Sequence, residues 1–241
     1  MKIFTHKERR NDLFSLDVIE KDNKRYYGKD GVYYPSITTV LSEFPGKQEG
    51  LNNWREKVGI DEANKITHVA GQRGSALHDL AELYLDNTIQ NTSKSFSDFF
   101  VFHRPPINPD VASMFIALKP YLDLVDNIDG LELALYSDLF KIAGRVDCIG
   151  EFNGSPAIID FKTARKMKKT SWIEDYFCQA TAYSLMWEEM TGVRINNIVV
   201  LMVAKKGDVG YETKAWVRNR DNYIESLIET RKIFKELYEP K

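Results

Sequence analysis

Residues 144–169 read GRVDCIGEFNGSPAIIDFKTARKMKK, and the Asn153-Gly154 pair in their middle constrains this chain more than any other feature. Asn-Gly between two β-rich segments is the sequence of a type I′ turn, in which both central residues take positive φ and the flanking strands pair antiparallel. With a two-residue loop, Phe152 faces Ser155, and every opposed pair keeps the same sum of residue numbers, so Asp147 lies opposite Asp160. Opposed Cβ atoms sit about 4.5–5.5 Å apart, where like charges repel unless something compensates them. The period-2 pleat carries Lys162 to that same face and turns Phe161 away. The hairpin therefore gathers two carboxylates and an ammonium at one end of a sheet.

A divalent cation is a natural compensator. Mg²⁺ takes hard oxygen ligands, commonly one or two protein carboxylates, and leaves positions for water and substrate phosphate. The plainer alternative is a surface salt bridge between Lys162 and Asp160, because Asp-x-Lys arises on the order of once by chance at ordinary residue usage. Lys162, Arg165, Lys166, Lys168 and Lys169 form a basic run just beyond. Such a run suits phosphates, or it is simply a solvated loop.

At 241 residues, with 43% hydrophobic and 28% charged, the chain has the composition of an ordinary soluble globular protein built around one substantial α/β core. A formal net charge of −2 makes no global case for nucleic acid, which leaves the local basic run to carry it. Two cysteines, Cys148 and Cys178, argue against a disulfide framework, fit a reducing intracellular setting, and are too few to ligate an iron–sulfur cluster alone. The first twelve residues mix both signs and lack a secretory apolar region, and the clearest apolar run, 198–204, is too short to span a bilayer.

Residues 13–34 read as short strands turning at Asp22-Asn23 and Asp30-Gly31, and Ser36 can cap a short helix running to residue 44. Helices are expected over 50–58 and 61–85, the second open to a break near Gly71 and Gly74. Residues 87–109 are rich in Ser, Asn and Pro yet carry Phe96, Phe99, Phe100 and Phe102. Those rings either belong to a lid that stacks on bases or pack the segment onto the body, the commoner use of aromatics. Helices follow over 110–125, 172–190 and 223–238, with Ser171 and Glu174 in capping-box spacing, and strands over 131–136, 142–150, 157–161, 197–204 and 211–217. This order makes an α/β arrangement with a mixed sheet. His78 falls at the edge of the stripe Leu77, Leu80, Ala81 and Tyr84, half-buried and on the side of Glu82, where a structural histidine is the commoner outcome. Gln179 and Tyr183 sit one turn apart on the border of another apolar stripe; they either bond a phosphate or base, or are ordinary border residues.

The motifs GSALH, GRVD, IIDFKT and QATAY occur in that order, after an early YPSITTVLSEF. Together, over about residues 33–204, they resemble the RecB-like exonuclease branch of the PD-(D/E)xK nuclease superfamily. The resemblance implies a restriction-endonuclease-like core, with a central mixed β-sheet flanked by helices, plus an N-terminal strand and helix elaboration. A single nuclease domain over 1–241 would comprise that elaboration (1–59), a catalytic core (60–204) and a C-terminal strand and helix (205–241). It implies that His78, Asp147, Asp160 and the Phe161 carbonyl hold Mg²⁺ or Mn²⁺, and that Asp147, Asp160 and Lys162 form the catalytic set. Gln179 and Tyr183 would meet DNA, and Arg165 and Lys166 of the basic run are further candidate DNA-binding residues. Glu132 lies in the strand before GRVD, where the pattern often has an acid, and receives no role. Val146 stands where the family name has Pro, and the missing cysteine quartet sets aside the iron–sulfur version. The implied function is a metal-dependent DNA exonuclease acting on single-stranded ends; the expected setting is intracellular, the cytoplasm of a bacterial or phage-infected cell, with an organelle as the alternative. Its rivals are a nucleic-acid-binding module with an idle nuclease-like site, and a structural protein in which Asp160 and Lys162 are an ordinary ion pair.

Overall fold

The computed structural model describes residues 1–7, 15–208 and 210–239. Leu13 and Phe14, expected at the start of the first strand, lie outside the described residues. Strands β1 (Asp17–Lys21), β2 (Lys24–Lys29) and β3 (Val32–Pro35) form a small antiparallel sheet. Its turns fall at Asp22-Asn23 and Asp30-Gly31, all four residues at positive φ, as two-residue hairpins require. Tyr27 and Tyr34 anchor this sheet by packing against Ala143. Ser36 then caps α1 (Ile37–Val40), its hydroxyl accepting from the Thr39 amide at 3.0 Å, and a 3₁₀ turn over Leu41–Glu43 follows.

Helix α2 (Lys47–Val58) is bracketed by Gly46 and Gly59, both at positive φ, and contains no buried residue. Helix α3 (Ile60–Leu85) runs unbroken through Gly71 and Gly74. Each glycine costs a helix about 1 kcal/mol relative to alanine, and the burial of Leu77, Leu80, Ala81, Tyr84 and Leu85 outweighs that cost. The irregular stretch expected over 87–109 contains two short helices, α4 (Thr88–Thr92) and α5 (Phe96–Phe102). Phe99 is buried, and Phe96 and Phe100 pack at 5.6 and 6.1 Å on Phe115, so only the 73% exposed Phe102 is free to stack. These rings serve burial, which removes the basis for a base-stacking lid. The Phe115 they meet belongs to α6 (Pro109–Leu122), which Asn108 caps and Pro109 opens.

The central sheet has the order β4 (Val125–Ser137), β5 (Ile142–Phe152), β6 (Ser155–Ala164), β7 (Asn197–Lys205), β8 (Tyr211–Asn219). It is mixed: β6 and β7 are parallel, joined across one face by α7 (Glu174–Thr191), and the other pairs are antiparallel. One face packs on α1, α7 and the closing helix α8 (Ile224–Tyr238), the other on α3 and α6. Among the described residues no helix is long and apolar enough to cross a membrane.

Two expectations about α7 need correction. The Ser171–Glu174 capping box does not form, because residues Thr170–Trp172 make a 3₁₀ turn and Ile173 opens the helix without a side-chain cap. Fully buried Ile173 and the bond from the Trp216 indole to Thr170 Oγ1 hold the chain in that path, and the turn's own i→i+3 bonds satisfy the amides of Trp172 and Ile173. Nor is α7 amphipathic: Phe177 through Ser184 are all buried, since the helix lies between the sheet and α1 and α8. Gln179 and Tyr183 are thus interior residues, not border ones.

Candidate active site

The Asn153-Gly154 turn, with φ of 51° and 76°, pairs Phe152 with Ser155 and continues the expected register to Cys148 opposite Ile159. There the regular pairing stops, one step before the two aspartates. Asp147 Oδ2 instead accepts the Phe161 amide at 2.6 Å, so a carboxylate takes a strand's place as hydrogen-bond partner. The face alternation of β4 and β5 also slips at this level. Leu131 and Cys148 pack toward α3 and α6, whereas Leu133 and Val146 pack toward α7. Between them lie Glu132, at φ 48°, and Asp147. A left-handed conformation costs an ordinary residue about 1–2 kcal/mol, and such irregularities re-aim side chains next to active sites.

Helix α3 brings His78 to the same point, its Nδ1 3.4 Å from Asp147 Oδ1 and its ring edge-on to Phe161. His78, Glu132 and Asp147 each offer a ligand atom within 4.8 Å of the others. Asp160 is not part of that triad. It is completely buried, with Lys162 Nζ 2.5 Å from its Oδ2, yet neither carboxylate oxygen has a hydrogen bond of good geometry. The ion pair contemplated from the sequence exists, but as a buried pair and not a surface one. Phe161 turns its ring into the opposite core layer, as the pleat requires.

His78, Glu132, Asp147 and Lys162 open into a cleft of about 640 Å³, bounded by α3 on one side and by Tyr27, Ser36 and Ile37 on the other. Gln179 and Tyr183 line it, the Gln179 amide donating to the Tyr183 oxygen at 3.1 Å. The glycine of GRVD is needed here. A Cβ on Gly144 would stand 2.9 Å from both the Tyr183 ring and Ile37. Arg165 and Lys166, the candidate DNA-binding residues of the basic run, line a neighbouring groove and not the cleft. Glu132 is the residue that sequence reasoning left without a role. Its place opposite Asp147 follows from a local distortion of β4 that no residue type announces.

Charge explains the electrostatics. Burial pulls the His78 imidazole down, but the charge and hydrogen bond of Asp147 outweigh it and lift the pKa to about 9. Asp147 is correspondingly held below the usual carboxylate range: burial would raise it, and His78, Lys162 and the Phe161 amide overcome that. Burial pushes Glu132 up to about 7, with Asp147 adding. Burial likewise raises Asp160 to about 6, against Lys162 and with Asp147. Lys162 stays above its ordinary value despite burial because both aspartates hold its proton. Burial, then the two aspartates, keeps Tyr183 protonated. The site thus holds more carboxylate than its own cations keep ionised. With Asp160 Oδ1 buried without a partner, Oδ2 met only by Lys162, and a set of oxygen and imidazole donors at hand, these residues fit a divalent cation.

The family model of the PD-(D/E)XK nuclease superfamily matches residues 52–236. Human mitochondrial genome maintenance exonuclease 1 is 26% identical over 140 residues, which cover 56% of this chain and 38% of that protein, so the match spans about two fifths of the relative. A crystal structure of a candidate exonuclease from Eubacterium rectale superposes with a TM-score of 0.48 at 10% identity, covering 85% of this chain and 79% of that one. Nucleases of this superfamily use divalent metals, in keeping with the donor set described above. The family match takes in more than half of the chain, including His78, Glu132, Asp147, Asp160 and Lys162, and the chain belongs to the PD-(D/E)XK nuclease superfamily.

Proposed function

We propose that this nuclease is a metal-dependent deoxyribonuclease that hydrolyses phosphodiester bonds as an exonuclease on single-stranded DNA ends. The observation that carries the reading is Asp160: a carboxylate is fully buried with only Lys162 beside it, behind Asp147 and Lys162, which line an open cleft. Structural proteins rarely bury a charge in this way, because the desolvation cost exceeds what the pair returns. Asp147, Asp160 and His78, with the Phe161 carbonyl, would hold Mg²⁺ or Mn²⁺, and Glu132 stands beside them as an added carboxylate. Such an ion, when bound, lowers the pKa of water and acts as a Lewis acid on a phosphoryl oxygen.

The remaining roles belong to the chain itself. Lys162 orients the attacking water or stabilises the negative charge that develops on the phosphoryl oxygens. Tyr183, whose oxygen already accepts from Gln179, keeps its own proton for a phosphate oxygen. Arg165 and Lys166 hold phosphates further along the strand. The DNA preference draws on the likeness to a relative named for genome maintenance. Preference for a single strand draws on the cleft, which has walls on two sides.

The experiment is a time course on end-labelled single-stranded DNA, beside a circular single strand, with Mg²⁺, Mn²⁺ or EDTA. Products that shorten from an end, need metal and spare the circle are expected. Removal of Lys162 as Lys162→Ala is expected to lower turnover about 10²–10³-fold while DNA and metal binding persist. Unchanged turnover in that variant would remove the proposed role. A shifted band without products would leave a binding module with an idle site.

A further inference from the structure

We propose that a second groove, beside the cleft, carries the single-stranded nucleic acid that flanks the scissile phosphate, with Trp54 stacking against a base. The inference rests on the nuclease reading above and names the path its substrate takes. The groove has a volume of about 950 Å³, larger than the cleft, and runs between α2 with the first half of α3 and the end of β6. Trp54 lines it together with Lys65, Arg73, Arg165, Lys166 and Lys168, against a single lining acid, Glu62. Among the described residues, no carboxylate forms an ion pair with Lys65, Arg73, Arg165 or Lys166, and Arg73 Nε is buried without a hydrogen-bond partner. Unneutralised cations around an apolar strip that includes an indole match what a single strand offers: phosphates along one edge and open base faces along the other. A duplex hides those faces.

The groove continues the cleft. Arg73 and Thr163 line the groove, while their chain neighbours Gly74 and Lys162 line the cleft. A Cβ built on Gly74 lies 3.6 Å from Thr163 Oγ1, so the two walls meet there. A strand whose phosphate reaches Lys162 therefore has a basic path onward. The arm over this path is also lightly packed. Helix α2 has no buried residue, both its ends are glycines at positive φ, and it is held by the ion pair of Lys47 with Asp175 at 2.6 Å and by Arg55 on Asn64. Twelve residues of helix are marginal in water unless they pack on something. In the first half of α3, up to Arg73, Ala63 alone is buried.

The test reads binding in EDTA, so its result does not depend on whether Asp147, Asp160 and Lys162 cleave. Fluorescence anisotropy of labelled oligo-dT of increasing length is measured with the full chain, its Trp54→Ala, Trp54→Phe and Lys65→Glu variants, and a blunt duplex as competitor. In the wild type, affinity rises with length. Trp54→Ala is expected to remove about tenfold of that gain, Trp54→Phe to keep most of it, and Lys65→Glu to flatten the salt dependence by about one phosphate contact. Since α2 has no buried residue, the exchange of its amides, read beside the melting temperature, serves as the folding control. Wild-type length dependence in Trp54→Ala would overturn the proposal. Equal loss of duplex and single-strand binding would overturn it too, because surface charge alone would then explain the affinity. Cleavage without groove binding sinks only the groove, whereas groove binding without cleavage sinks only the nuclease assignment.

Discussion

The β5–β6 hairpin and the α2 arm carry charge in opposite ways. In the hairpin, Asp147 and Asp160 are buried, and their charges answer to that burial and to the cations His78 and Lys162. On the arm, no residue of α2 is buried, and Glu49, Glu56 and Lys57 stay exposed to water. The first arrangement sets up strong fields at the expense of stability; the second leaves stability almost untouched and keeps charge available to a partner. Changes in the hairpin should therefore alter chemistry far more than folding. Changes in the arm should alter binding or local order and little else.

The largest effect is expected at Asp160. Asp160→Asn should abolish hydrolysis and also remove the rise in melting temperature on adding Mn²⁺. At pH 8 without metal it should melt no lower than the wild type, because the amide replaces a carboxylate that burial penalises. An ordinary structural ion pair predicts the reverse, a less stable protein. Differential scanning calorimetry of the two proteins, with and without Mn²⁺, decides between them.

A second effect follows from linkage. The folded-state pKa values of Asp160, Glu132 and His78, about 6, 7 and 9, all lie above the ordinary values of 3.8, 4.5 and 6.5. A raised value means that the folded protein holds the proton more tightly, so the stability contributed is full below the ordinary pKa and is lost as pH rises through the folded one. Metal-free protein should thus lose stability steadily from about pH 4 to pH 9. A cation that replaces those protons should stabilise more at pH 8 than at pH 5. Melting curves across that range check both trends, and a metal shift that is larger at pH 5 would contradict the charge assignment.

These sites also mark where the sequence is legible. Turn chemistry is local, so Asp22-Asn23, Asp30-Gly31 and Asn153-Gly154 announce their hairpins, and the last of these sets the register as far as Cys148 opposite Ile159, one step short of the two aspartates. Side-chain events beyond it are not local. The Asp147 carboxylate replaces a strand, Glu132 turns left-handed, and α7 is buried all round because of helices far away in sequence. Arg165 and Lys166 read as phosphate-meeting members of the basic run after Lys162, but which groove they line is not legible: the chain leaves the sheet after Ala164 and takes them out of the cleft.

Gly144 tests the packing that supports the hairpin. In Gly144→Ala the new methyl group meets the Tyr183 ring and Ile37 at 2.9 Å, and neither is the loose end of a flexible chain. Overpacking of this kind costs about 1–3 kcal/mol. At about 2–4 °C per kcal/mol for a chain of this size, the melting temperature should fall by several degrees, with DNA binding weakened as Tyr183 shifts.

The smallest effect lies on the arm. Gly50 sits inside α2 with nothing within 4 Å of a built Cβ, so Gly50→Ala meets no neighbour. The substitution removes the glycine penalty and should strengthen the helix by about 0.5–1 kcal/mol. If α2 opens independently of the sheet, that gain stays local: α2 amides should exchange several-fold more slowly while the global melting temperature hardly moves. Hydrogen exchange resolved to α2 and to β6 measures both in one experiment. Slower exchange in β6 as well would mean that the arm and the hairpin unfold as one unit, and the contrast between a self-supporting hairpin and an arm that waits for its partner would fail.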